Sequence, residues 1–245
     1  MHAHFLMGHL DVVSARAAAS VAEARARGDR YTESTGRAYI MPLVWLAIDR
    51  PVDAREEAQG AIALWGEAGW HHQHWAELRA QCIVDLYEGA GARAAERLDE
   101  TRRRMKESLV LRLRTPRLEH RYLDARGLLD AAWNSKDARG LLARVGKLAD
   151  QLEGEHNRFA AVYAAALRAG AAARATGGAP AGAAFAIAEK AFEALTMPMH
   201  AAAARRRQAE LAGDPTALAT ADAALAAFGV TMPERFARLL VPRAL

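Results

Sequence analysis

The sequence predicts an all-α protein, a tetratricopeptide-like helical-repeat solenoid of stacked antiparallel helix pairs, and three observations predict it. Apolar residues recur at helical spacing in one segment after another, with no sustained period of two. Gly, Pro, Asn and Asp interrupt those segments at short intervals. The composition agrees, because 52% of the 245 residues are hydrophobic while only 7% are aromatic. Much of the difference is Ala, the strongest helix former and a residue that lets two helices approach closely.

The stripes follow one another along the chain. Ala54, Ala58, Ala61, Ile62, Trp65 and Ala68 form the first, and Trp75, Leu78, Cys82 and Leu86 the second. Leu98, Met105 and Leu109 come next, then Leu118, Tyr122, Ala125 and Leu129. Leu141, Val145, Leu148 and Leu152 precede Phe159, Val162, Ala166 and Ala169. Phe185, Ala188, Phe192 and Leu195 lead to the last set, Leu218, Leu225 and Phe228. Turns are predicted at Gly28-Asp29, Arg50-Pro51, residues 66–69, residues 89–91, Asn134-Ser135, Gly154, Gly177-Gly178 and Gly213-Asp214-Pro215. Asp214 suits an N-cap, since Pro215 tolerates the missing donor at the first helical position.

Second helices of successive pairs are predicted to start near Asp53, Ala92, Asp137, Ala181 and Pro215. Their separation of roughly 34 to 45 residues is the range of helix-pair repeats. The pairs cover residues 10–69, 70–110, 115–153, 156–196 and 199–229, with a short helix over 233–241, all in one domain. A pair cannot bury its own stripe, so neighbours must stack, with a small residue where two helices cross. Trp75 and Leu78 match the start of the tetratricopeptide signature, but Arg79 stands where that signature has Gly.

Charge and cysteine content narrow the function classes. The 33 basic and 29 acidic residues leave a net charge of +4 spread along the chain, whereas a nucleic-acid binder concentrates its excess on one stripe. The single cysteine, Cys82, rules out an internal disulfide. The longest apolar stretch, residues 39–48, is too short to span a bilayer and holds Pro42. Residues 1–10 carry no Lys or Arg and do not form a secretion signal, so a cytoplasmic location is expected. They are also apolar for a solenoid end, which predicts that they dock elsewhere or that something precedes them.

Enzyme signatures are absent: no Gly-x-Ser-x-Gly elbow, phosphate-binding loop, His-Glu-x-x-His or dinucleotide fingerprint occurs. No cofactor is implied, and Cys82 lies on an apolar stripe as a core residue would. His71 and His74, three apart, have metal-ligand spacing, but no third ligand type stands nearby except Glu67 and Glu77, so a structural role is the better account. The most basic stretch runs from Arg102 through Arg103, Arg104, Lys106, Arg112 and Arg114 to Arg117. Compensation by Glu96, Asp99, Glu100 and Glu107 favours a solvated helix face; the other reading is a groove for an acidic peptide or phosphates. Arg205, Arg206 and Arg207 receive the same assignment to a solvated face. Tyr39, Trp45, Trp65, Trp70, Trp75 and Trp133 are mostly gap-fillers in an Ala-rich array, with one or two exposed. Partner contacts, if the protein makes them, are expected from Arg103, Arg104, Arg112, Arg114, Trp70 and Trp75, and the partner is expected to be a protein or peptide.

Several stretches carry a resemblance. They are Ala24-Arg25-Ala26-Arg27-Gly28-Asp29-Arg30-Tyr31, Val44-Trp45-Leu46-Ala47 before Asp49-Arg50-Pro51, Ala63-Leu64-Trp65 with Gly69, and His74-Trp75. Asp85-Leu86-Tyr87-Glu88-Gly89 and residues 201–207 ahead of Glu210-Leu211 complete the set. Together they resemble the C-terminal tetratricopeptide-like region of large bacterial serine/threonine protein kinases of the myxobacterial type. The kinase domain itself is missing: there is no Gly-rich loop, no Val-Ala-Ile-Lys strand and no Asp-Phe-Gly. His120-Arg121-Tyr122 shares two residues with the catalytic-loop triplet but has Tyr where Asp is needed. The resemblance implies a recognition or regulatory module whose catalytic half lies elsewhere. Related tails behind ATPases and transcription regulators make small-molecule or nucleic-acid sensing the alternative.

Overall fold

The computed structural model describes residues 1–63, 65 and 69–245, and every regular element among them is helical. Its α-helices are α1 (His2–Leu6), α2 (Leu10–Ala26), α3 (Arg30–Thr35), α4 (Met41–Ala47), α5 (Pro51–Ile62), α6 (His72–Tyr87) and α7 (Gly91–Glu107). They continue with α8 (Arg114–Ala132), α9 (Ala138–Glu153), α10 (Arg158–Ala175), α11 (Gly178–Ala194), α12 (Pro198–Ala212), α13 (Pro215–Ala226) and α14 (Pro233–Leu240). The expected turn at 66–69 falls largely outside the described residues. The other predicted turns separate helices, and Asp214 caps α13 by accepting from the N–H groups of Thr216 and Ala217 at 2.9 and 3.0 Å. Between α3 and α4 the chain winds as a π-helical turn over Gly36–Ile40. That turn shifts the hydrogen-bond ladder and lets Pro42 enter in the first turn of α4, where its missing donor costs least.

Two stripe positions differ from expectation. Leu109 lies beyond the end of α7 with φ of 63° and 53% exposure, so it terminates the helix instead of packing beneath it. Phe159 begins α10 and is 40% exposed.

Helices adjacent in sequence pack against each other throughout, and α8 meets α6 and α10 as well as its neighbours α7 and α9. Burial alternates along the chain. Thirteen of the sixteen residues of α6 are buried, against four of seventeen in α7. Eleven of nineteen are buried in α8 against three of sixteen in α9, and nine of fifteen in α12 against two of twelve in α13. One set of helices is therefore covered on most sides and the other presents a solvated face. The close crossing expected of small residues occurs at Gly127 on α8, where a Cβ would lie 2.8 Å from the Gly91 carbonyl oxygen and 3.0 Å from the Ala95 Cβ of α7.

The two chain ends meet the buried helices. Phe5 of α1 lies against His200 of α12, with ring centroids 6.5 Å apart. At the other end, the Thr231 N–H donates to the Ala47 carbonyl at 2.8 Å, and Arg235 pairs with Asp49 at 2.5 Å. From there α14 packs on α6, α12 and α13. Phe236 and Val241 are fully buried and Leu240 nearly so. Burying each such side chain is worth about 1.5–3 kcal/mol, so Phe236, Leu240 and Val241 anchor the C-terminal segment in the core.

Candidate functional site

The buried faces of α6, α8 and α12 carry charge where an all-apolar seam would be expected. Glu119, Tyr122 and Arg126 fall at i, i+3 and i+7 of α8 and so share one face. Arg79 of α6 faces them: its Nε donates to Glu119 Oε1 at 3.2 Å and one Nη to the Tyr39 carbonyl at 3.2 Å. The same guanidinium lies 4.2 Å over the Tyr39 ring, and the Tyr39 hydroxyl donates to Glu119. Tyr122 stacks on Tyr163 of α10 with centroids 4.3 Å apart. Arg79, Glu119, Tyr122, Arg126 and Tyr163, with His2, Phe5, Leu43, Ile83, Leu123 and His200, line a cavity of about 60 Å³.

Burial sets the protonation of the site. It pushes the Tyr122 hydroxyl up to about 12 and raises those of Tyr39 and Tyr163, so all three are hydrogen-bond donors. It also lowers His200 to about 3, with Arg126 acting in the same direction, and lowers His2. Both imidazoles are neutral at pH 7. Four buried polar atoms around the cavity have no hydrogen-bond partner: His2 Nδ1, Glu119 Oε2, Arg126 Nε and His200 Nδ1. Chemically this is a place to hold a small polar molecule. Cys82 plays no part in it, being wholly buried with its thiol raised by burial.

Tyr122, Arg126 and Arg207 also hold the C-terminal segment by its main chain. Tyr122 donates to the Leu240 carbonyl at 2.8 Å, Arg126 to those of Leu239 and Arg238, and Arg207 Nε to that of Pro242 at 3.0 Å. This overturns one expectation. Arg206 and Arg207 are 5% and 2% exposed, not part of a solvated face, because Asp222, Glu210 and the Pro242 carbonyl compensate them.

Of the residues selected from sequence, Trp70, His71, His74 and Arg104 come together. They line one surface groove with Trp65 and Glu107, between the start of α6 and the end of α7. His71 caps α6, its main-chain N–H donating to His74 Nδ1 at 3.1 Å, and His74 stacks on Trp70 at 6.1 Å. No group of three or more metal-ligating side chains forms among the described residues. Arg103 points to solvent and pairs with Glu107 at 3.4 Å. Arg112 is exposed apart from this groove. Arg114 is exposed too and lines a second groove, of about 280 Å³, that shares His2, Leu6, Glu119 and Tyr163 with the interior cavity. Trp75 requires a correction: it is fully buried, packed near His120 with centroids 6.0 Å apart, and presents nothing to a partner.

Comparison with family models, curated proteins and solved structures returns no match. The site must therefore be judged on its own chemistry. Sequence reasoning passed over Arg79, Glu119, Arg126 and His200. A signal existed for Arg79, which occupies the repeat-signature Gly position between Leu78 and Cys82, both buried.

Proposed function

We propose that the chain is a non-catalytic regulatory module, a tetratricopeptide-like solenoid of about five helix pairs that docks a protein partner. In this reading it serves as the tail or partner of a bacterial serine/threonine kinase signalling system, as its resemblance implies. One observation supports it most. Trp70, His71, His74 and Arg104, from the approach to α6, its first turn and α7, line a single surface groove. Aromatic and Arg side chains are the residue types that anchor protein interfaces, and Arg103 and Lys106 beside them favour an acidic partner segment. The interior, covered by Phe236, Leu240 and Val241 of the C-terminal segment, is not the partner surface in this reading.

Placing a photo-cross-linking residue at position 104, with a control at exposed position 139 on α9, tests it in cells of the source organism. A kinase or kinase-associated protein should be captured from position 104 and not from 139. Its affinity should then fall roughly ten-fold or more in Trp70→Ala and Arg104→Glu, as for a central interface anchor. Equal capture from both positions, or affinities unchanged by both substitutions, would sink the reading.

A further inference from the structure

Arg126 is a buried cation without an ion-pair partner among the described residues. It is 3% exposed. Its two Nη groups donate to main-chain carbonyls, and its Nε has no partner. Among the described residues no carboxylate lies within ion-pair distance of it. Asp130 acts on it from farther away and is itself engaged by the Gly91 N–H at 2.8 Å and by Arg243 at 3.4 Å. A buried cation without a counter-ion is strongly disfavoured.

The rest of the cavity is balanced. Arg79 is matched by Glu119 at 3.2 Å, the tyrosines are protonated, and His2 and His200 are neutral. The cavity thus carries one net positive charge, on Arg126. Its remaining walls are apolar: Phe5, Leu43, Ile83 and Leu123.

We propose that this cavity is a binding site for one small organic monocarboxylate. The carboxylate neutralises Arg126 and takes up its free Nε–H, and the short apolar body lies against Leu43, Ile83 and Leu123. A single net positive charge is matched by a monoanion and over-compensated by a dianion. The apolar walls favour an organic ion over an inorganic one. A water needs about 10–15 Å³ on the same measure, so the space suits a ligand of about four to six non-hydrogen atoms. Entry follows from the shared wall. His2, Leu6, Glu119 and Tyr163 stand between the cavity and the outer groove. The exposed Arg114 at that groove attracts anions toward it. The site is independent of the Trp70 and Arg104 groove, so either can fail alone.

The test uses the full chain with propionate as the probe, followed by thermal shift and by titration calorimetry. Propionate should raise the melting temperature saturably and bind one to one. Propionamide, inorganic phosphate and chloride at matched ionic strength should not. Arg126→Leu should weaken propionate binding roughly ten-fold or more, the scale of a lost hydrogen bond to a charged group. Should that variant not fold, the wild-type chain still decides the matter. Nuclear Overhauser contacts from the propionate methyl to the side-chain methyls of Leu43, Ile83 or Leu123 are expected, and their absence at saturation would overturn the proposal. It is equally overturned by no saturable propionate effect, by an equal response to propionamide or phosphate, or by unchanged affinity in Arg126→Leu.

Discussion

Gly170 on α10 and Pro242 in the C-terminal segment touch so closely that a Cβ on Gly170 would lie 2.5 Å from the Pro242 Cβ. The contact seats the segment on α10, and Leu129 Cδ1 at 3.1 Å from the same point closes the other side. Gly170→Ala should therefore displace residues near Pro242 and cost about 1–3 kcal/mol, the usual penalty for overpacking. Gly146 on α9 has open space around its missing Cβ. There the same change should stabilise by up to about 1 kcal/mol through helix propensity. Urea unfolding of the two variants, with opposite signs, checks this.

Asp85 is fully buried on α6 and receives three guanidiniums, Arg55 at 2.6 Å, Arg97 at 2.7 Å and Arg93 at 3.3 Å. Removing its carboxylate leaves the positive charges facing one another without relief. Asp85→Ala should cost about 3–5 kcal/mol in chemical unfolding. Asp99→Ala, which breaks the exposed pair with Arg102, should cost less than about 1 kcal/mol. Similar losses in both would show that the Asp85 cluster is not the tie it resembles geometrically.

Buried histidines predict how stability responds to acid. Burial lowers His200 to about 3 and His120 to about 4, below the ordinary 6.5. The unfolded chain binds these protons first as pH falls, so the stability that the neutral imidazoles contribute is present above 6.5 and lost on going down toward 4 and 3. Midpoints should drop steeply between pH 6.5 and 4. Replacing His200 by Phe should flatten the slope by about one proton, or about 1.4 kcal/mol per pH unit. A slope unchanged by that substitution would show that His200 does not stay neutral in the folded chain.

Glu155 carries the opposite group type with the same sign. Hydrogen bonds from Arg117 at 2.6 and 2.7 Å hold its carboxyl down at about 2, and Arg121 adds to them. Its contribution is present above the usual 4.5 and lost as pH falls toward 2. The cluster lies near the surface, where solvent screening holds the effect to about 1 kcal/mol. Glu155→Gln should show that loss at pH 7 and none near pH 2, measured by thermal unfolding across pH.

How much of this was legible in sequence varied by kind of feature. Helix boundaries read well because their causes are local. Asp214 with Pro215 announces a start, and Gly89 or Gly213 takes the positive φ that closes the preceding helix. Trp75 shows the limit. Its spacing places it on a buried stripe and its size suggests an interface anchor, and nothing along the chain decides between them. Arg207 was misplaced for a similar reason: a run of three Arg reads as solvated until Glu210 and the Pro242 carbonyl are seen around it.

The sequence by itself determined that this is a helical protein and where most helices from α5 onward begin and end, since period, propensity and capping act within a few residues of each position. The single helix pair expected over residues 10–69 is instead α2 to α5 with a π-helical turn between α3 and α4. Tertiary structure alone decided that α1 and residues 230–244 close over the buried helices, and that Arg79, Glu119, Arg126 and His200 face one cavity. An apolar stripe records that a face is covered but not by what. Gly170 looks like any small residue in an Ala-rich helix until Pro242 arrives against it, and contacts of that kind are set by packing between distant segments.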